Sequence, residues 1–197
     1  MDDKLVILVV DDHPIICKAL QLLLEPECYI SQVYCAENYD DAVRLYNQIQ
    51  PNFIILDADL GRSANNGFKL FTTLKKLNFN GYSLCMSAND NPLLSEAALN
   101  IGMNGFIDKH QSSTSITSAV KTIMCGYSFF KLHTDRVSLS EREAQIITLL
   151  ISGVKNKEIA LTLNISPKTV STYKTRILKK YNVNNVIELI KYRNTTR

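Results

Sequence analysis

Five consecutive residues, Phe53-Ile54-Ile55-Leu56-Asp57, constrain this chain more than any other stretch: a short run of large apolar side chains that stops at a carboxylate. Its length and its borders, Pro51-Asn52 before and Asp59-Leu60-Gly61 after, fit a strand covered on both faces better than a helix. Asp57 then stands at the strand's carboxyl end, the edge where open parallel α/β sheets build their sites. Leu5 to Val10 has the same character and ends in Asp11-Asp12. Side by side, the two strands bring three carboxylates to one edge. Such groups repel one another unless a cation lies among them, and ligation by oxygen alone points to Mg2+ or another hard ion. Taken singly, Asp12 reads equally well as the cap of a helix opening at His13-Pro14, and Asp57 as a turn residue. Those separate readings leave the coincidence unexplained.

Two later strand ends narrow the chemistry. Tyr82 to Met86 leads into Ser87-Ala88, and Gly105-Phe106-Ile107-Asp108 leads into Lys109. Each alone is ordinary, a loop serine and a surface lysine. Together with the acids they supply a metal site, a carboxylate nucleophile, a hydroxyl and a fixed positive charge, the parts needed to accept a phosphoryl group on Asp57 and hold it.

Between these strands the spacing predicts helices. Pro14 opens one that carries Ile15, Ile16, Leu20, Leu23 and Leu24 and stops before Pro26. A strand over Tyr29–Tyr34 follows, then a helix capped by Asn38 and running to about Gln48. After the polar loop from Gly61 to Asn66, a helix carries Phe68, Leu70, Phe71, Leu74 and Leu77; others span Pro92–Ile101 and Ser113–Met124. Strands alternating with helices give a doubly wound parallel sheet, because parallel neighbours need crossover connections.

Asp11-Asp12-His13-Pro14, Asp57, Ser87-Ala88 and Gly105 to Lys109, in that order, resemble the receiver domain of a bacterial two-component response regulator over residues 1–125. The resemblance implies a flavodoxin-like five-stranded sheet of order 2-1-3-4-5 and phosphorylation of Asp57 by a sensor histidine kinase. It also implies Mg2+ held by Asp12, Asp57 and the backbone carbonyl of Asp59, with Asp11 acting through water. By the same resemblance Ser87 is the switch hydroxyl, Phe106 the switch aromatic and Lys109 the phosphate-binding lysine. Ser87 stands where threonine is more usual and Phe106 where tyrosine is frequent, so any switch at Phe106 works by packing alone.

Charge divides the chain. Residues 1–125 carry nine Lys and Arg against fourteen Asp and Glu, a net −5, whereas residues 139–197 carry eleven against four, a net +7. A basic second module implies a polyanionic partner. Residues 126–138 form the linker, with Tyr127, Phe129 and Phe130 pointing to partial packing on one domain.

From Leu139 the pattern is helix alone, a small all-α domain. Ser140 with Glu143 has capping-box spacing ahead of Ile146, Ile147, Leu149 and Leu150, and Gly153 ends that helix. Asn156 to Ala160 opens a short second helix, and Asn164-Ile165-Ser166-Pro167 turns tightly into a third, the outline of a helix-turn-helix. On a wheel for Pro167–Tyr181, Val170, Tyr173, Ile177 and Tyr181 form one buried stripe. Lys168, Ser171, Thr172, Thr175, Arg176 and Lys179 face the other way, as a solvated face or a surface for double-stranded DNA.

Leu139 to Glu143, Asn156 to Ala160, Ile165-Ser166 and Thr169-Val170 resemble the LuxR-type DNA-binding domain, and the whole chain a NarL/FixJ-type response regulator. That resemblance adds Lys157 to the DNA-binding set, RNA polymerase as a further partner, and dimerisation through a last helix, Val186–Tyr192. Val186 and Ile190 are the residues expected at the homodimer contact. Ser171 and Tyr173 replace the lysine and histidine frequent at those positions in the family.

No apolar run approaches the ~20 residues needed to span a bilayer, and the acidic start lacks a signal peptide's basic segment, so no membrane partner and a cytoplasmic location are expected. The five cysteines show no metal-ligand spacing and read as buried thiols, with a redox sensor as the lesser alternative. No nucleophile elbow, P-loop or hydrolase motif suggests an enzyme acting on a separate substrate. The leading expectation is a transcription regulator controlled by phosphorylation. A DNA-binding regulator governed by a protein partner, independent of phosphorylation, is the alternative; a sensor of a small autoinducer is disfavoured by the phosphoacceptor set.

Overall fold

Parallel strands rich in Val, Ile and Leu form the centre of the first domain in the computed structural model, which describes residues 4–60, 66–88, 92–130 and 137–191. In chain order the elements are β1 (Leu5–Val10), α1 (Pro14–Leu24), β2 (Ile30–Ala36), α2 (Tyr39–Ile49), β3 (Phe53–Asp57), α3 (Gly67–Lys76), β4 (Tyr82–Ser87), α4 (Pro92–Asn100), β5 (Gly105–Asp108) and α5 (Ser113–Met124). The sheet runs β2-β1-β3-β4-β5, all pairs parallel.

Alternation along the strands sorts the core into two layers. Ile7, Val9, Phe53, Ile55, Leu84, Met86 and Ile107 face one way, onto α1 and α5. Leu8, Val10, Ile54, Leu56, Cys85 and Phe106 face the other, onto α2, α3 and α4. β2 begins one residue later and ends two residues later than expected. It pairs with β1 as far as Val10↔Ala36, after a register shift between Leu5 and Val6, and this pairing carries Cys35 and Ala36 into the strand. His13, not Asp12, occupies the N-cap position of α1, which leaves the Asp12 carboxylate to the strand ends. Asn38 caps α2 through the amide of Asp41.

The chain beyond α5 does not leave the sheet at once. Phe129 donates to the Asn104 carbonyl at 2.9 Å and accepts from the Phe106 amide at 2.8 Å, an added bridge beside Gly105. Residues 131–136 of the expected linker, 61–65 of the expected loop and 89–91 before α4 lie outside the described residues.

The second domain consists of α6 (Glu141–Ile151), α7 (Asn156–Thr162), α8 (Pro167–Lys180) and α9 (Val186–Ile190). The Ser140–Glu143 capping box forms, Gly153 adopts φ +77° after α6, and Ser166 caps α8 with Pro167 at its first position. Val170, Ile177 and Tyr181 are buried, but Tyr173 is only half-buried. Tyr192, expected in the last helix, lies outside the described residues.

The two domains share one apolar layer. On α4 every residue from Leu93 to Ala98 is buried, and on α6 every residue from Glu143 to Ile151. A helix lying on one core exposes its far side, so burial all round means that each of these two is covered from both directions. They cover one another, and their apolar residues belong to a single cluster. Hydrogen bonds edge this interface, among them Asn66 Nδ2 to Thr148 Oγ1 (3.4 Å), Gln145 Nε2 to Thr72 Oγ1 (3.4 Å), Ser152 Oγ to Asp59 Oδ1 (2.9 Å) and Tyr181 OH to Glu96 Oε2 (2.7 Å).

The cysteines depart from expectation. Cys17 and Cys85 are buried and Cys35 is half-buried, whereas Cys28 and Cys125 are exposed, because one lies in the turn before β2 and the other caps the end of α5. No helix among the described residues is long and apolar enough to cross a membrane.

Candidate functional site

The pocket forms because adjacent strands end together. Val10 pairs with Leu56, Asp57 with Met86 and Ser87 with Asp108, so Asp11, Asp57, Ser87 and Lys109 emerge at one edge. Backbone bonds fix the ends: the Asp11 amide donates to the Ala36 carbonyl at 3.1 Å, that of Ala58 to Met86 at 2.7 Å and that of Lys109 to Ser87 at 2.8 Å. Gly67, the first residue of α3, presses against β3 so closely that a Cβ there would overlap the carbonyl oxygen of Asp57.

Lys109 bridges the two buried acids, its Nζ lying 2.6 Å from Asp11 Oδ2 and 2.7 Å from Asp57 Oδ2. Burial pushes the Asp57 carboxyl up to about 6, against the hydrogen bond and positive charge of Lys109. Burial also pulls on Lys109, but hydrogen bonds and charge from Asp11 and Asp57 outweigh it and hold the ammonium above its ordinary range. Desolvation therefore wins at the carboxylate and attraction wins at the lysine. The pocket has room in its charge balance for a further cation.

A donor set for that cation is present. One ligand atom from each of Asp11, Asp12, His13 and Asp57 lies within 4.8 Å of the others, a set rich in carboxylate oxygen that suits a hard divalent ion. His13 is the member that the sequence reading passed over. Its Nδ1 is 2.9 Å from Asp12 Oδ1 and 3.2 Å from Asp11 Oδ1, and its amide donates to Asp11 Oδ1 at 3.0 Å. The signal available was its position directly after the acid pair, where Pro14 fixes the backbone. Asp59 is exposed; its amide donates to Asp57 Oδ1 at 3.2 Å, while its carboxylate accepts from Ser152 on α6. Ser87 is fully buried at the end of β4, and Phe106 is buried in the layer facing α4.

The second candidate surface is basic. Lys157 on α7 and Lys168, Ser171, Thr172, Thr175, Arg176 and Lys179 on α8 are all exposed in the intact chain. The hydroxyls of Ser171, Thr172 and Thr175 each donate to the carbonyl four residues back at 3.1 Å, a resting bond that a stronger acceptor can replace. Arg176 stacks on the Tyr173 ring, its guanidinium carbon 5.8 Å from the ring centroid, which explains why Tyr173 is not fully packed away. On α9, Leu189 is buried, Val186 is half-buried against the effector core, and Ile190 and Ile187 are exposed. The most protruding apolar residue there is Ile187, which the sequence reading did not single out.

Comparison with known proteins identifies the two domains that carry these surfaces. Residues 7–121 match the response regulator receiver domain, and residues 137–193 match the bacterial regulatory proteins of the luxR family. The virulence-factor transcription regulator BvgA of Bordetella pertussis is 32% identical over 93% of this chain and 94% of its own. The Fimbriae Z protein of Salmonella typhimurium is 30% identical over 94% of each. Among solved structures, a complex of the two-component response regulator RcsB with DNA superimposes with a TM-score of 0.82 at 25% identity, covering 96% of this chain and 98% of that one.

Proposed function

Since this chain belongs to the two-component response regulators that join a receiver domain to a luxR-family DNA-binding domain, we propose that a sensor histidine kinase phosphorylates Asp57 and that the phosphorylated protein binds operator DNA as a homodimer through α8. The Lys109 bridge to Asp57 and Asp11 carries this reading. A buried carboxylate at a strand end, faced by a lysine and flanked by further acids, suits phosphoryl transfer and does nothing evident for packing.

In the transfer an Asp57 oxygen attacks the phosphorus of the donor, and the bond from phosphorus to the donor's leaving group breaks. Lys109 neutralises charge on the phosphoryl oxygens, exchanging its carboxylate partner for the new group. Mg2+, held by Asp11, Asp12 and Asp57 with the Asp59 carbonyl, would supply further neutralisation. Its donor set is available, with His13 as a neighbour that the acids can hold aside or recruit.

The path to the effector is short. Ser87 ends β4, and the next element is α4, which is packed against α6. Drawing the Ser87 hydroxyl toward a phosphoryl group shifts the end of β4, and Phe106 repacks on the neighbouring strand. Because the outer side of α8 is already exposed with the receiver in place, control need not uncover it. It works by reorienting two effector domains into one pair, since a single helix-turn-helix reads few base pairs. A cytoplasmic location and contact with RNA polymerase accord with this role.

Incubation with Mg2+ and a small phosphodonor tests the core claim. The mass of the chain should rise by one phosphoryl group, and Asp57→Asn should not change. Equal labelling of that variant overturns the assignment.

A further inference from the structure

Two thiols on the seam between α1 and β2 have no part in the chemistry above. Cys17, one turn into α1, is buried, with its Sγ 3.5 Å from the Asp11 carbonyl oxygen and 3.9 Å from that of Ala36. Cys35, near the end of β2, is half-buried, and its Sγ lies 3.5 Å from the Cys17 carbonyl oxygen. Both are free thiols, and each sulfur lies against the element that carries the other, Cys35 Sγ against the Cys17 carbonyl on α1 and Cys17 Sγ against the Ala36 carbonyl on β2. Free cysteines ordinarily sit in cores as small hydrophobes. A facing pair, one buried and one within reach of solvent, has the arrangement of an attacking and a resolving cysteine.

We propose that Cys17 and Cys35 form a reversible disulfide that ties α1 to β2 and hinders phosphoryl acceptance at Asp57, so that the receiver answers to oxidation as well as to its kinase. The disulfide stands on the geometry of the pair alone; its effect on acceptance rests on the phosphoacceptor reading above.

Cys35 meets the oxidant first, being the more accessible. The hydrogen bond from Cys17, aided by the charge of Lys18, holds its thiol below the ordinary range against the effect of burial. With hydrogen peroxide as oxidant, the Cys35 sulfur attacks one oxygen, the O–O bond breaks, and hydroxide leaves as water after taking a proton. Cys35 is then a sulfenic acid. The Cys17 sulfur attacks the Cys35 sulfur, the S–O bond breaks, and the departing hydroxide takes the Cys17 proton as a second water. Two electrons pass from the two thiols to the peroxide.

The link to the pocket is the bond between Cys17 and the Asp11 carbonyl. A disulfide needs Cβ atoms about 3.8 Å apart, so closing it draws Cys17 toward β2 and off that carbonyl. Asp11, Asp12 and His13 lie between β1 and the α1 turn that moves. In a reducing cytosol such a bond is transient, as a sensing disulfide must be.

The test uses the full chain with Cys28→Ser and Cys125→Ser, which removes the exposed thiols. After peroxide treatment and alkylation, trypsin cuts behind Lys18 and separates the two cysteines. The expected product joins the peptides of Cys17 and Cys35, is lighter by two hydrogen atoms, and is resolved by dithiothreitol. Labelling of Asp57 by a small phosphodonor should slow several-fold on oxidation and recover on reduction, with no such change in a Cys35→Ser variant. Full alkylation of both cysteines, or linkage to Cys85 instead, overturns the disulfide. A complete Cys17–Cys35 link with unchanged labelling overturns the coupling. If the reduced protein takes no label, the phosphoacceptor reading fails and the coupling with it, while the peptide map still decides the disulfide by itself.

Discussion

Tyr181, at the carboxyl end of α8, donates its hydroxyl proton to Glu96 on α4 across 2.7 Å, and both side chains are buried. Helix α8, proposed to read DNA, is thus tied to α4, the receiver element that follows Ser87 in chain order. Leaving a buried hydrogen-bond acceptor without its partner costs about 1–3 kcal/mol. Tyr181→Phe removes the bond and little volume. It should loosen the docking of the two domains by about 1–2 kcal/mol, seen as faster hydrogen exchange in α4 and α6 with strands β1 and β3 unchanged. Unchanged exchange at α4 and α6 would show that the apolar contact alone holds the domains together.

Asp57 gives a pH signature. Its carboxyl loses its proton near 3.8 when unfolded and near 6 when folded, so in metal-free protein the folded state holds the extra proton between those values. Stability therefore falls as pH rises through that window and stays reduced above it. Asp57→Asn removes the burden and should be more stable than wild type at neutral pH by on the order of 3 kcal/mol, with the gap shrinking as pH falls below about 6 and closing near 3.8. Urea unfolding of both proteins across this range without Mg2+ measures it. Added Mg2+ should stabilise wild type and not the variant.

Ser87→Ala and Gly67→Ala separate labelling from signalling. The first should still accept a phosphoryl group yet lose the phosphorylation-dependent gain in DNA affinity, because the hydroxyl proposed to move toward the phosphoryl group is gone. The second forces a Cβ onto the Asp57 carbonyl. It should lower the labelling rate itself and cost about 1–3 kcal/mol of stability, as overpacking does.

On the DNA surface, Lys168→Ala and Lys179→Ala should weaken binding to all sequences alike and lower the salt slope by about 1 each. Thr172→Ala and Arg176→Ala should instead cost about 1–3 kcal/mol on the preferred operator only. Fluorescence anisotropy with operator and scrambled duplexes at several salt concentrations distinguishes the two classes.

Val186→Glu should reduce dimerisation and binding to a two-half-site operator. Ile187→Glu, at the more exposed neighbouring position, should do so at least as strongly if α9 forms the contact, with the core residue Leu189 left in place. Sedimentation with and without phosphodonor checks both. Intact dimers from the two variants would move the interface elsewhere.

The strands that build the pocket could be read from sequence because β1, β3, β4 and β5 are short apolar runs that end at or beside a chemically distinctive residue, and parallel order then fixes which ends meet. The capping box at Ser140 and the turn into Pro167 were legible for a similar reason, since local hydrogen bonding dictates residue type at fixed spacing. Other features had no local signal. Gly67 had no part in the sequence argument, because what it accommodates, the Asp57 carbonyl, is set by tertiary packing and not by its neighbours in sequence. His13 read as part of a helix start. The ends of β2 were misjudged because pairing with β1, not composition, sets them. The mutual burial of α4 and α6 was hidden because burial all round requires a partner that periodicity cannot name. The cysteines were assigned one environment when position in the fold gives them three.

That shared burial bears on how the molecule can be taken apart. Severing the chain between the domains would leave α4 and α6 each with an uncovered apolar flank, a template for self-association. A DNA-binding fragment produced alone would therefore be sparingly soluble, or would pair through α6 in a way that the intact chain does not. Polar replacements on the α4-facing side of α6, chosen to suppress this, would in the full-length protein disrupt the connection to the receiver.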